Sequence, residues 1–307
     1  MSHPSNTAPT MQSGLRPSFQ RLDSPGTAPW ALLVAVATIS SAGVIVSAID
    51  DAAAHVVAFW RMAGTTVLLA PFIKRVSRRD GLLMCAAGAL LAVHFVAWFA
   101  SLETIAVMRS TLLVTIAPIW AGLIELGILK RPPMARFWWG LLIALPGVGV
   151  MCSVGALSGE LRGDLLAVLG GMSGAAYFVI GGEVRKRVQV TSYAAMVCGV
   201  AGLCLLPWVA FGDASATGFE LDTWLLMGAL ILGPQLIGHN GLNFALKYIA
   251  ASTVTAITLL EPVGAAFLAW IFLAQEPSHQ EVVGGLLVLV GLVIATRPTS
   301  RADPGAD

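Results

Sequence analysis

Ten apolar stretches, each about as long as a bilayer is thick, follow one another between Trp30 and Thr296. A helix needs roughly 20 mostly apolar residues to cross the hydrocarbon layer. The chain has 307 residues, of which 57% are hydrophobic and 11% charged, and polar groups are too few to cover so apolar a body in water. Lipid must cover it, and in lipid only helices or closed barrels satisfy every backbone group. The runs show no period-2 alternation, which excludes barrel strands. The expected fold is an all-α integral membrane protein with ten transmembrane helices. They are read at 30–49, 53–73, 81–100, 105–128, 136–155, 163–182, 192–211, 222–246, 250–273 and 280–296. Loops are short, and no segment is long enough for a separate soluble domain.

Basic residues fix the expected orientation. The amino tail holds Arg16 and Arg21, and the second-to-third loop holds Lys74, Arg75, Arg78 and Arg79. On the same side fall Lys130, Arg131 and Arg136, then Arg185, Lys186 and Arg187, then Lys247, and finally Arg297 and Arg301. The opposite set of loops holds only Arg162. Positive charge stays on the cytoplasmic side, so both termini are expected in the cytoplasm and the protein in the cell (inner or plasma) membrane. Residues 1–29 are rich in Ser, Pro and Thr and read as a disordered tail. They lack the basic-then-apolar order of a signal peptide. Residues 298–307 form a second tail. The net charge of +1 gives no reason to expect nucleic acid. Cys85, Cys152, Cys198 and Cys204 sit inside apolar runs as small packing residues, with no CxxC pair among them.

A weak internal repeat is present. Pro118 lies 144 residues before Pro262, and the same shift carries Gly140 onto Gly284 and Gly147 onto Gly291. It also places Phe99-Ala100-Ser101-Leu102 on Asn243-Phe244-Ala245-Leu246 and Ile105-Ala106 on Ile249-Ala250. Each half, 30–155 and 162–297, then holds five spans. Five is odd, so the halves face opposite ways, the inverted repeat of many secondary transporters, which hold substrate near midplane at the repeat interface.

On these residues the chain resembles the drug/metabolite transporter superfamily, of the EamA type. Ala251-Ser252-Thr253-Val254-Thr255-Ala256-Ile257-Thr258-Leu259-Leu260-Glu261-Pro262-Val263 is similar to that family's penultimate span with its Glu-Pro pair. Glu276, Gln280 and Gly284-Gly285 resemble the acidic turn and glycine-rich last span that follow. Phe59-Trp60-Arg61 resembles the aromatic-x-Arg of the second span, and Ala117-Pro118 occupies the place of Glu261-Pro262 in the first half. The chain departs from the pattern at Lys130-Arg131-Pro132, where an acidic turn is common. The resemblance covers Trp30 to Thr296. It implies transport and leaves open whether the cargo is an amino acid, another metabolite, a sugar phosphate or a drug.

Several residues are candidates for a site. Pro118 and Pro262 lie mid-span and free carbonyls on Val114 and Thr258, either as kinks healed by packing or as breaks lining a cavity. The eighth span is interrupted by Gly233-Pro234, after which come Gln235, His239, Asn240 and Asn243. Gln235, His239 and Asn243 are four apart and share a face, as interhelical glue or as a substrate site. Glu261 and Arg61 are charges near midplane, where ionisable groups are costly. Glu261 either braces a neighbouring helix, releases a proton as cargo binds, or touches cargo. Arg61 either clamps an acid or helix-end carbonyls, or attracts an anionic group of the cargo. His94 and Trp98 share a helix face, and Trp98, Trp60 and Trp120 are candidates to floor an aromatic cavity. Tyr177 is open to either role. Arg109 is expected to snorkel to the outer interface, and Glu125 and Glu183 to pair with Lys130 or Arg185.

The leading expectation is a secondary transporter exporting a small organic solute by alternating access, with proton coupling through Glu261 or His239 as an open alternative. No GxxxxGK[ST] segment supplies an ATPase. An integral membrane enzyme acting on a lipid-soluble substrate is the alternative, but no HExxH or GxSxG occurs. No catalytic residue, cofactor or metal is expected. The partners expected are the solute and the bilayer, and the oligomeric state is not legible.

Overall fold

The computed structural model describes residues 24–152 and 160–297, and among these no strand occurs. The helices, in chain order, are α1 (Ala28–Ile39), α2 (Ser41–Val46), α3 (Ala54–Leu69), α4 (Arg78–Leu102) and α5 (Val107–Thr115). Then come α6 (Ala117–Gly127), α7 (Ala135–Met151), α8 (Leu161–Arg185) and α9 (Val190–Phe211). A π-helix, Ile231–His239, joins α10 (Leu221–Leu230) to α11 (Asn240–Ala245). α12 (Ala251–Ile257), α13 (Glu261–Leu273) and α14 (His279–Thr296) complete the chain. Of the tail expected at 1–29, residues 24–29 are described and do not form a tail: Pro25–Thr27 make a 3-10 turn that leads into α1, while residues 1–23, the fifth span's end at 153–155 and the tail at 298–307 lie outside the described residues.

Eight helical stretches among the described residues are long and apolar enough to cross a membrane. The sequence's second and fifth spans are the shorter ones. α3 has 16 residues and α7 has 17, so at 1.5 Å per residue each rises about 25 Å. Helix starts follow local chemistry. The Ser77 hydroxyl accepts from the Asp80 N–H at the head of α4. Ser278 and Glu281 cap the head of α14 reciprocally, the capping-box arrangement.

The mid-span prolines do not kink continuous helices. α5 ends at Thr115, Ile116 breaks the chain's path, and Pro118 takes the second position of α6. Likewise α12 passes through a 3-10 turn, Thr258–Leu260, and Pro262 takes the second position of α13. Proline suits a first turn, because the N–H it lacks has no partner there anyway. Pro234 behaves differently. It sits inside the π-helix, whose wider turn absorbs the lost donor without breaking the rod.

Packing does not separate the sequence's two halves into two bundles. The largest core is built on α3, α4, α8 and α9, with Met62, Met84, Tyr193 and Leu205 fully buried. α1 packs on the π-helix and α11, and α7 packs along α14. Each of these pairings joins a helix of one half to a helix of the other. The helices of the two halves therefore interlock.

The α7–α14 pair rests on four glycines. A Cβ on Gly140 would stand 2.5 Å from the Gly291 carbonyl oxygen, and one on Gly147 would stand 2.7 Å from that of Gly284. Gly291 and Gly284 meet Gly140 and Gly147 in the same way. The earlier glycine of one helix thus faces the later glycine of the other, so the two run antiparallel with their backbones in contact. Small residues permit such close approach, and dispersion then holds the helices in lipid.

The helix ends carry ion pairs. Arg109 grips Asp164 with two bonds of 2.6 and 2.5 Å, so it does not simply snorkel. Asp80 holds Arg187 at 2.6 Å, and that hydrogen bond raises the Arg187 pKa above its ordinary value. Glu183 binds Arg131 at 2.6 Å and Lys186 at 2.5 Å, rather than Lys130 or Arg185. Partly exposed pairs contribute little. Removing Arg109 and Asp164 together is expected to shift stability by about 1 kcal/mol or less, read from a double-mutant cycle of thermal unfolding in detergent.

Candidate functional site

Arg61 lies near the middle of α3 and is half-buried. Its Nη2 donates to Oε1 of Gln235 at 2.9 Å, and Gln235 Nε2 in turn donates to Sγ of Cys198 on α9 at 3.6 Å. The clamp expected for Arg61 is therefore a neutral amide, not an acid or a helix-end carbonyl. Gln235 sits at the centre of the π-helix, next to Pro234, and is 4% exposed. Glu261, the first residue of α13, is close enough to Arg61 for each to influence the other's charge. Yet among the described residues no ion pair joins the two, and no hydrogen bond reaches the Glu261 carboxylate.

His239 ends the π-helix and lies within electrostatic reach of both Arg61 and His94. On α4, His94 Nδ1 is 2.9 Å from the Gly170 carbonyl oxygen of α8. A carbonyl only accepts, so Nδ1 carries the proton. Trp98 stands one turn on, its ring 5.9 Å from that of His94. Gly170 and Gly174 let α8 approach this face, where a Cβ at Gly174 would already touch His94 Nδ1 at 3.0 Å.

The expected stripe Gln235, His239, Asn243 is resolved into two parts by the π-turn. Gln235 faces Arg61, while Asn243, on α11, accepts a 2.8 Å hydrogen bond from the Tyr177 hydroxyl of α8. Tyr177 stacks on Tyr193 with ring centres 6.4 Å apart. Arg185 Nε donates to the Asn243 carbonyl at 2.9 Å and its Nη1 to the carbonyl of Val188. Tyr177→Phe strands the Asn243 side-chain oxygen. It is expected to cost about 1 kcal/mol, seen as a lower thermal midpoint at unchanged yield.

The remaining candidates divide. His239 lies within electrostatic reach of Arg61, and Asn240 follows it as the first residue of α11. Trp120 packs instead with the cluster of Leu32, Ala35, Ala175 and Leu242. Trp60 is held from α10 and the segment before it. Its Nε1 donates to the Ala216 carbonyl at 2.9 Å and its ring meets Trp224 edge-on at 5.2 Å. Four buried polar atoms of the candidates have no partner among the described residues: Arg61 Nε, Trp98 Nε1, Trp120 Nε1 and Asn240 Oδ1. Buried polar groups are almost always hydrogen-bonded, so such a concentration calls for an explanation.

Three contributors escaped the sequence reading. Cys198 looks in the sequence like a packing residue, yet it accepts from Gln235. Arg185 looks like an ion-pair partner, but it is 3% exposed and fixed to carbonyls. Glu125, expected beside Lys130 or Arg185, is buried, and its carboxylate accepts from the N–H of Ser252 at 3.2 Å and from the Ser252 hydroxyl. The only sequence signal was the intramembrane placement of Glu125, which marks a partner without naming it. Near this contact a recess of about 240 Å³ opens among Glu125, Arg131, Glu183, Lys186, Lys247 and Tyr248.

The EamA-like transporter family matches residues 161–297. An uncharacterized transporter of Archaeoglobus fulgidus is 23% identical over 65% of this chain and 71% of its own. The uncharacterized transporter YwfM of Bacillus subtilis is 25% identical over 76% of this chain and 80% of its own. A protein of Streptantibioticus cattleyicolor named "Probable terminal-alkyne amino-acid exporter" is 25% identical over 62% of this chain and 64% of its own. One crystal structure superposes with a TM-score of 0.77 at 17% identity, covering 89% of this chain and 97% of that one, which shows a shared fold. With its apolar helices and broken rods, the chain is a membrane protein whose residues 161–297 match the EamA-like transporter family.

Proposed function

We propose that the protein is a secondary transporter of a small organic solute, acting as an exporter by alternating access. The observation that carries the reading is the belt at mid-membrane, where Arg61, Glu261 and His239 converge from α3, α13 and the π-helix with buried polar atoms left unpartnered. Holding such groups in lipid is costly, and they mark solute pathways. The printed name of the Streptantibioticus relative, an amino-acid exporter, supports export and an amino acid, metabolite or drug as cargo.

In this reading ten helices cross the cell membrane as two inverted five-helix repeats, 30–155 and 162–297, with both termini cytoplasmic. The glycine pairing supports it. Gly140 and Gly147 correspond to Gly284 and Gly291 by the repeat, and each meets the other pair's member across an antiparallel contact. That is the arrangement a two-fold axis in the membrane plane produces. The paired breaks at Ile116 and Thr258–Leu260 fall at corresponding places. Because the helices interlock, the moving parts are the half-helices α5, α6, α12 and α13 and the π-turn rather than whole halves.

Two substitutions test the site. His239→Ala and Glu261→Gln are expected to cut solute flux in proteoliposomes at least several-fold while purified yield stays near that of the parent. An equal fall in flux and yield assigns both residues to folding. Proton coupling through Glu261 or His239 is tested in the same vesicles by imposing a pH gradient, which drives flux in the parent and not in the uncoupled variant.

A further inference from the structure

The recess of about 240 Å³ lies away from the mid-membrane belt, where α6, α8 and α11 end and α12 begins. Three cations line it, Arg131, Lys186 and Lys247, against two carboxylates, Glu125 and Glu183. Both oxygens of Glu125 accept from Ser252. A single oxygen of Glu183 takes both Arg131, at 2.6 Å, and Lys186, at 2.5 Å. The Lys247 ammonium stands 5.2 Å from the centre of the Tyr248 ring. The chain path holds Arg131 in place. Lys130 takes a left-handed backbone with φ of 56°, a conformation that residues with a Cβ resist. The Arg131 N–H then turns back to the Glu125 carbonyl at 2.9 Å. Gly182 forms part of the wall, and a Cβ there would meet nothing closer than 3.9 Å.

We propose that this recess seats the phosphodiester headgroup of an anionic phospholipid from the surrounding leaflet. Basic pockets between helices at a membrane face suit such headgroups. Three positive charges against two negative leave one in excess, and one phosphodiester neutralises it. A phosphate monoester, at about −1.5 to −2, overshoots. A phosphatidylcholine carries its own ammonium and leaves the excess unbalanced. The volume falls below the roughly 300 Å³ at which sites for drug-sized ligands begin, so the recess takes a headgroup and leaves the acyl chains in the bilayer. Leu126 and Ile128, at the end of α6, are exposed and offer those chains an apolar surface. The bound phosphate shares Arg131 and Lys186 with Glu183 and meets Lys247 from the other wall.

The test uses the full chain in a non-ionic detergent, titrated with dioleoylphosphatidylglycerol, dioleoylphosphatidylcholine or glycerophosphoglycerol, the first lipid's headgroup without its acyl chains. Native mass spectrometry counts the molecules retained. Phosphatidylglycerol is expected to bind about tenfold more tightly than phosphatidylcholine, and glycerophosphoglycerol far more weakly than either lipid. Arg131→Gln and Lys247→Gln are each expected to weaken phosphatidylglycerol about fivefold, the factor one basic group supplies near an anionic lipid. Glu183→Gln removes the competing carboxylate and is expected to strengthen it by about the same factor. Gly182→Leu fills the recess with every charge intact and is expected to abolish the preference. Should that variant fail to fold, the charge variants decide alone. Arg75 is exposed and lies outside the recess, and Arg75→Gln is expected to leave the preference within about twofold of the parent. Equal retention of the two lipids overturns the proposal, as does unchanged binding in a folded Gly182→Leu protein. A loss in Arg75→Gln as large as in Arg131→Gln also overturns it, because the basic surface is then diffuse. Glycerophosphoglycerol binding as tightly as the lipid overturns it too, since the occupant is then a soluble phosphodiester. Solute flux is not among the readouts, so the transporter reading stands or falls separately.

Discussion

Replacing Gly140 by leucine removes most of the monodisperse protein from a detergent extract. The first added atom already stands 2.5 Å from the Gly291 carbonyl oxygen and from the Ala295 Cβ, and 2.6 Å from the Ala295 nitrogen. Two of those three atoms are helix backbone, which has no rotamer with which to retreat. Overpacking a close contact commonly costs 1–3 kcal/mol, and here the whole α7–α14 seam must open, so a loss of about 3 kcal/mol or more is expected. Gly127 provides the contrast. Nothing lies within 4 Å of a Cβ there, and Gly127→Ala should leave the thermal midpoint within about 0.5 kcal/mol of the parent. A Gly140→Leu protein that elutes and melts like the parent would show that the seam is not a structural contact.

The second large effect is expected at Glu125. It lies on α6, is 6% exposed, and accepts both hydrogen bonds offered by Ser252 at the head of α12. Glu125→Ala strands a backbone N–H and a hydroxyl in a buried site. Hydrogen bonds to a charged group are each worth about 1.5–3 kcal/mol, and an unsatisfied donor adds to the loss, so about 3 kcal/mol is expected. Glu125→Gln keeps one accepting oxygen and should cost about half as much. Thermal unfolding in micelles ranks the three proteins. If alanine and glutamine at this position unfold together with the parent, the carboxylate does not hold α6 to α12.

These two sites also show what could be read from the residues alone. Apolar run lengths placed most helices, because the bilayer's thickness imposes its own ruler. The glycines were visible as a repeat, yet that they face one another across α7 and α14 is a property of the assembled bundle. Pro118 and Pro262 were visible as interruptions. Whether a proline kinks a rod or begins a new one depends on the backbone path before it, and at Ile116 and Thr258–Leu260 the path is already turned. Charge partners were the least legible. Arg61 and Gln235 are 174 residues apart, and Glu125 and Ser252 are 127 apart. Hydropathy says that such groups must turn inward and is silent on which neighbour they meet. The π-turn adds a further shift, since four-residue spacing across it no longer means one face, which is why Gln235 and Asn243 serve different partners.

Exchange in proteoliposomes tests the central claim most directly. Vesicles holding purified full-length protein are loaded with an unlabelled mixture of amino acids, sugars and cationic drugs, then given each in labelled form outside. The account predicts that at least one label accumulates inside above protein-free vesicles, and that Glu261→Gln lowers its accumulation. Labels that equilibrate no faster with the protein than without it, across the whole mixture, would contradict a solute path through these helices.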